Sequence, residues 1–145
     1  MSRRDGAPEA GGPLVALCVG HRCAALRRLA GAGDGVEQVA AAVRRTSGAV
    51  LVTAGCLGGC DRAALAGLAR RSPGIGAPGP VLWLSEMQTA ERTGALVQWV
   101  EAGAPAAADD GTGQPAVAEL PACLRTAVTG VGPPVRTTRA QPSER

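Results

Sequence analysis

The scarcity of large side chains is the feature that most constrains the fold of this chain. Its 145 residues include no Phe or Tyr and only two Trp, and 29 of its apolar residues are Ala. Since hydrophobic stabilisation grows with the apolar area buried, such a chain can build only a small core, and its length suits one domain. So few aromatic rings exclude a base-stacking surface for single-stranded nucleic acid. The net charge of +3, carried without a basic run, gives no other reason to expect a nucleic-acid partner.

Composition divides the chain into three parts. Residues 1–13 are a polar, Gly/Pro-containing leader, which we expect to be flexible. Residues 14–102 contain the apolar runs and are the predicted folded domain. Residues 103–145 form a Pro/Gly/Ala-rich tail that we expect to be largely irregular or disordered, with a short helix near residues 120–128. The first apolar run, 14–19, is too short for a signal sequence or a membrane helix, so we expect a cytoplasmic protein without a membrane partner.

The first half of the domain has the pattern of a strand, a helix and a second strand. Residues 14–17 and 49–53 are short apolar runs typical of buried strands. Between them, Asp34 and Glu37 have the spacing of a helix capping box, and Gly48 marks the end of the segment. A strand, a crossover helix and a strand predict a parallel pair.

The second half predicts a hairpin followed by a helix. Helix propensity is high over 63–70, but the Gly/Pro-rich loop 72–80 and the strand-like run 81–84 favour a strand there. Thr89 is positioned to begin a last helix, which Gly103 ends. The predicted order β-α-β-β-β-α describes an α/β domain with a mixed sheet and thioredoxin-like connectivity.

Four cysteines form two closely spaced pairs, each following a predicted strand. Cys18 and Cys23 are separated by four residues, and Cys56 and Cys60 by three. Because parallel strands joined by a crossover end at the same edge of a sheet, the two loops should deliver four sulfurs to one edge. In a reducing cytosol, such spacing indicates metal binding or catalysis more often than disulfides.

Both cysteine segments must turn sharply to serve one metal. Two thiolates on a tetrahedral metal lie less than about 4 Å apart, whereas an extended five-residue span separates its ends by about 13 Å. Gly20, Gly58 and Gly59 can supply the left-handed conformations that a sharp turn needs. They also allow backbone N–H groups to approach sulfur and stabilise its negative charge.

The series C-x4-C, 32 residues and C-L-G-G-C resembles the cysteine pattern of the thioredoxin-like [2Fe–2S] ferredoxins, especially the small iron–sulfur subunit of respiratory NADH dehydrogenase. The resemblance implies a single [2Fe–2S] cluster, with each local cysteine pair on one iron. It also implies one-electron transfer between a reductase and an acceptor protein, no enzymatic bond-making by the chain itself, and a homodimer. The cluster ligands would then be Cys18, Cys23, Cys56 and Cys60.

Arginines near these cysteines suit a negatively charged cofactor. Arg22 and Arg62 lie within two residues of a cysteine, and Arg27 and Arg28 follow shortly after the first pair. An oxidised cluster with four thiolates carries a charge of −2, and reduction makes it −3. Neighbouring cations should therefore raise the reduction potential and attract acidic redox partners.

Two other functions use the same cysteines. The four thiols could hold a structural zinc ion, although this spacing lies at the edge of the usual zinc range. Cys56 or Cys60 could instead serve a dithiol oxidoreductase, although that chemistry favours C-x-x-C at a helix start. Cysteines left over from a lost site are a further alternative. We expect His21 to be an exposed residue and Cys123 to be a bystander thiol.

Overall fold

A computed structural model describes residues 11–55, 64–71, 79–103, 115, 117 and 120–133. The strands in these ranges are β1 Gly12–Cys18, β2 Val50–Ala54, β3 Ala66–Arg71, β4 Val81–Leu84 and β5 Val128–Gly132. The helices are α1 His21–Leu29, α2 Gly35–Arg45, α3 Ala90–Glu101 and α4 Ala122–Arg125. None of these helices combines the length and the apolar character needed to cross a bilayer.

The five described strands form one mixed sheet in the order β2-β1-β3-β4-β5. β1 and β2 are parallel, with Leu14 opposite Val50 and Cys18 opposite Ala54. β3 is antiparallel to β1 and to β4, and β5 is antiparallel to β4. The predicted α/β class, the parallel pair and the hairpin are therefore confirmed. β3 spans Ala66–Arg71, close to the predicted 63–70, although Ala is a poor strand former.

The main core lies between one face of the sheet and helices α2 and α3. Alternate residues of β1, β3 and β4 face it, as the two-residue period of a strand requires. It also includes residues that follow the predicted domain. Its largest fully buried side chains are Val15, Val39, Leu68, Leu82, Leu84, Leu96, Trp99, Val100, Leu120 and Leu124.

The helix termini confirm most of the predicted signals. The Thr89 hydroxyl accepts a hydrogen bond from the backbone N–H of Arg92 and caps α3, and Gly103 has a φ of +85° just after this helix ends. Asp34 does precede α2, but its side chain makes no capping hydrogen bond to the backbone. It accepts a hydrogen bond from the Gln38 side chain instead, at 2.9 Å. The predicted capping box is therefore wrong.

Helix α1, His21–Leu29, has no counterpart among the predicted elements. Its residues are largely Ala, Leu and Arg, which favour helix, and Arg27 and Arg28 lie in its last turn, where cations stabilise the helix dipole. Its fully buried residues are Cys23 and Arg27, so the buried face lacks the apolar period that normally reveals a helix.

Part of the segment expected to be largely irregular contributes to the domain. Residues 120–133 form helix α4 and strand β5, and Leu120 and Leu124 are 2% and 0% exposed. The predicted short helix near 120–128 is confirmed over Ala122–Arg125. The predicted leader, residues 1–13, lies mostly outside the described residues; Gly12 and Pro13 already belong to β1.

Candidate functional site

Cys18 and Cys23 lie where β1 ends and α1 begins. Cys18 is the last residue of β1 rather than the first residue beyond it, and Cys23 is the third residue of α1. The change from strand to helix supplies the sharp turn that the C-x4-C spacing requires. Both side chains are buried, with 1% and 0% of their surface exposed, and they belong to one cluster with Ala64 and Leu65.

Gly20 has a different role from the predicted one. Its φ is −69°, an ordinary value for any residue, so the left-handed conformation expected from the sequence is not used. Glycine is required here because there is no room for a side chain. A Cβ on Gly20 would lie 2.1 Å from the carbonyl oxygen of Gly55 and 4.0 Å from the Cys18 sulfur. The first cysteine segment therefore packs directly against the backbone that follows β2.

Backbone groups on both sides of β1 surround the two sulfurs. On one side, the Gly55 carbonyl oxygen accepts a long hydrogen bond from the Cys18 thiol at 3.8 Å, and the Val19 N–H donates to Ala54 at 2.8 Å. On the other side, the Cys18 N–H donates to the Leu65 carbonyl at 3.2 Å. Cys23 sulfur is hydrogen-bonded to the backbone of Leu65 and to the Cys18 thiol.

These surroundings determine the protonation of Cys23. Burial raises the pKa of its thiol above the ordinary value, and the neighbouring Cys18 raises it further. The hydrogen bond from the Leu65 backbone and the charge of Arg27 lower the pKa, but they do not offset burial. Without a metal the Cys23 thiol is therefore held protonated, whereas a bound metal would displace this proton and take the thiolate as a ligand.

Arg27 places a buried cation beside the two thiols. Only 4% of the residue is exposed, and its Nη1 donates a 2.9 Å hydrogen bond to the Cys18 carbonyl. Its Nη2 is buried and has no hydrogen-bond partner among the residues that the structure describes. Burial lowers the pKa of this guanidinium, while Cys23 and Cys18 raise it. An arginine nevertheless remains charged in proteins, so a positive charge is fixed at the site.

The other candidate residues near the first pair point to solvent. His21, Arg22 and Arg28 are all exposed, as expected for His21. Cys123 packs against the main core, whereas Cys18 and Cys23 form a separate cluster. Cys123 therefore lies in a different environment from the other two described thiols.

Cys56, Cys60, Arg62 and the glycines Gly58 and Gly59 lie outside the described residues. Among the described residues, no group of three or more His, Cys, Asp and Glu is assembled for a metal ion. The two described members of the predicted ligand set do fit a thiolate-bound group: both sulfurs are buried and in mutual contact, a backbone hydrogen bond reaches one of them, and an unsatisfied cation lies beside them.

Two features of the site were not predicted from the sequence. The contact with Leu65 depends on β3 lying next to β1, and no local pattern indicates that neighbour. The burial of Arg27 could have been inferred from the sequence. Arg27 follows Cys23 by four residues, so in a helix the two side chains lie on the same face.

We compared the chain with known protein families, curated proteins and solved structures, and none of them matches it.

Proposed function

We propose that this protein is a one-electron carrier with a thioredoxin-like [2Fe–2S] ferredoxin domain. The cofactor would supply the redox chemistry by accepting and releasing single electrons. The chain would hold the cluster, bury it and set its charge environment, without catalysing a reaction of its own. The proposed ligands are Cys18, Cys23, Cys56 and Cys60.

The observation that carries this proposal is the position of Cys18 in the strand order. β1 lies between β2 and β3, and Cys18 is flanked by Gly55 beyond the end of β2 and by Leu65 before the start of β3. Residues 56–63 link these two flanking positions along the chain. Cys56 is bonded to the carbonyl carbon of Gly55, whose oxygen lies 3.8 Å from the Cys18 sulfur. Gly55 and Leu65, the described residues on either side of the segment that contains Cys56 and Cys60, therefore both contact Cys18, which supports the proposal.

The environment of the described pair suits thiolate ligands of iron. Hydrogen bonds to sulfur, net charge and solvent exposure are the main influences of a protein on an iron–sulfur cluster. Here Leu65 supplies a backbone hydrogen bond, Arg27 supplies a positive charge, and both Cys18 and Cys23 are shielded from solvent. The same burial would be costly for free thiolates, because the ionised form is disfavoured away from water.

The remaining parts of the proposal concern partners and location. We propose that the carrier accepts electrons from a reductase and passes them to an acceptor protein in the cytoplasm, and that it forms a homodimer. The exposed Arg22 and Arg28 lie on the cysteine-bearing helix and would attract acidic surfaces of redox partners. Such attraction should weaken as the salt concentration rises.

Metal analysis of the anaerobically purified chain tests this proposal directly. We expect a red-brown protein that loses colour with dithionite and contains two iron atoms and two acid-labile sulfides per chain. Serine in place of any of the four proposed ligands should reduce cluster content, whereas Cys123→Ser, the matched control, should not. Colourless protein with one zinc per chain, or metal-free protein that reduces disulfides, would refute the proposal in favour of the corresponding alternative.

A further inference from the structure

We propose that Arg27 is the counter-cation of the metal site and that its fixed charge raises the reduction potential of the protein. The inference rests on the proposed function, which it extends from the ligands to a residue that touches neither iron nor the redox partner. Arg27 would act through the Cys18 and Cys23 thiolates, as a positioning residue.

Arg27 differs from the other arginines of its helix because it is buried and they are exposed. Cys23 and Arg27 are four residues apart in α1 and are its two fully buried residues, which places both side chains on one face. The Nη1 group of Arg27 anchors on the Cys18 carbonyl at 2.9 Å. Its side chain also passes the start of α2, where a Cβ on Gly35 would lie 3.8 Å from the Arg27 Cδ. The guanidinium is therefore anchored on the Cys18 carbonyl, and its stem lies next to the start of α2.

The charge of Arg27 lacks a counterion within the described residues. No carboxylate there forms an ion pair with it, and Nη2 has no hydrogen-bond partner. A buried, unpaired charge is strongly unfavourable, so its retention beside two thiols calls for an anion. Thiolates bound to a metal group of net charge −2 would provide that anion.

A buried charge affects the cluster more than an exposed one at similar distance. Attraction between charges increases as the surrounding dielectric constant falls, and salt screens buried pairs much less than exposed pairs. Reduction adds one negative charge to the cluster, so the cation should stabilise the reduced state more than the oxidised state. Loss of Arg27 should therefore make the reduction potential more negative.

Arg27→Gln tests this inference, with Arg28→Gln as the matched control. The two substitutions remove the same charge from adjacent residues of α1, one buried and one exposed. We expect Arg27→Gln to lower the reduced-to-oxidised ratio at a given potential by at least tenfold, which is about 59 mV for a one-electron couple. The shift should persist at 1 M salt. Arg28→Gln should cause a smaller shift that disappears there, because the Debye length falls to about 3 Å.

The conservative variant Arg27→Lys separates charge from local structure. If the charge matters, Arg27→Lys should keep the cluster and have a reduction potential close to that of the wild type, whether Arg27→Gln keeps the cluster or loses it. If both variants lose the cluster, or if Arg27→Gln shifts the potential no more than Arg28→Gln, the inference is overturned.

The inference can also be tested if the proposed electron transfer is wrong. A zinc ion with four thiolates also carries a charge of −2. If the protein contains zinc instead of iron and sulfide, Arg27→Gln should weaken zinc binding at least tenfold in competition with a chelator, and Arg28→Gln should not. Equal zinc affinities of the two variants, or a wild-type chain that binds neither zinc nor a cluster, would overturn the role of Arg27.

Discussion

Gly20→Ala should disrupt the contact between the first cysteine segment and the chain that leads to Cys56. The added Cβ would lie 2.1 Å from the Gly55 carbonyl oxygen and 3.2 Å from its carbonyl carbon. Both are backbone atoms, so no side-chain rotation can relieve the overlap. The two segments would have to separate by about 1 Å before the contact became tolerable.

This displacement should affect both stability and metal binding. Overpacking of this kind typically costs about 1–3 kcal/mol, which lowers the melting temperature of a small domain by roughly 4–15 °C. Metal–ligand distances tolerate changes of only about 0.2 Å. A separation several times larger between the two cysteine pairs should therefore reduce cluster content more than the loss of stability alone would.

Gly55→Ala is the matched control, because it adds the same methyl group on the other side of the same contact. A Cβ on Gly55 meets no described atom within 4 Å, so this variant should keep the cluster and the melting temperature of the wild type. The measurements are thermal unfolding by circular dichroism and iron and sulfide content after anaerobic reconstitution. A Gly20→Ala variant that matches Gly55→Ala in both would refute the inferred close packing at Gly20.

Three further predictions concern the sheet, the thiols and the C-terminal segment. Gly67→Ala would bring a Cβ to 2.9 Å from the Trp83 ring and should destabilise the protein by about 1–3 kcal/mol in urea unfolding; Gly94→Ala, in open space within α3, should stabilise it by about 0.5–1 kcal/mol. Because the pKa of Cys23 is raised in the folded chain, the unfolded chain loses this proton first. In the reduced, metal-free protein, the contribution of Cys23 to the free energy of unfolding should therefore be fully present below about pH 9 and be lost as the pH rises above it, by at most about 1.4 kcal/mol per pH unit. With no Lys or Tyr in the chain, Cys23→Ala should flatten this alkaline slope when urea unfolding is repeated at several pH values. Leu124→Ala, at a fully buried position, should cost about 2–5 kcal/mol in the same assay, and a change below 1 kcal/mol would show that α4 does not belong to the core.

Strands β1, β2 and β4 were predictable because their local sequence patterns agree with the tertiary structure. β1, β2 and β4 are short apolar runs bounded by turn residues, and all three lie where the sequence predicted them. β3 was predicted against its own Ala-rich propensity, from the Gly/Pro-rich loop and the strand that follow it. Neighbouring elements thus identified a strand that its own residues did not.

Two elements were not predictable, for different physical reasons. Helix α1 buries Cys23 and Arg27, so its inward face does not look apolar in the sequence. β5 has no fully buried residue, and Gly130 and Gly132 weaken its strand propensity. It is a strand because it pairs with β4, and that pairing is a tertiary contact between residues 44 to 51 positions apart in the sequence.

The candidate site was predictable only in part. The spacing of Cys18 and Cys23 predicted a sharp turn that brings the two sulfurs together on one metal ion. The two thiols are hydrogen-bonded to each other, and their role as metal ligands stays a prediction. The sequence did not reveal that Gly55 and Leu65 flank them, since this depends on β1 lying between β2 and β3. The convergence of the second pair, Cys56 and Cys60, stays a prediction.

The composition explains why the domain extends beyond residue 102. A chain poor in large apolar residues gains little from each buried position, and the main core includes Leu120 and Leu124 from the C-terminal segment. β5 also covers the edge of β4, which would otherwise expose unpaired backbone groups. Within the sheet, β4 and β3 lie between β5 and the strand that ends at Cys18. Substitutions in the C-terminal segment should therefore lower the stability of the whole domain with little effect on the reduction potential, whereas Arg27→Gln should change the reduction potential itself.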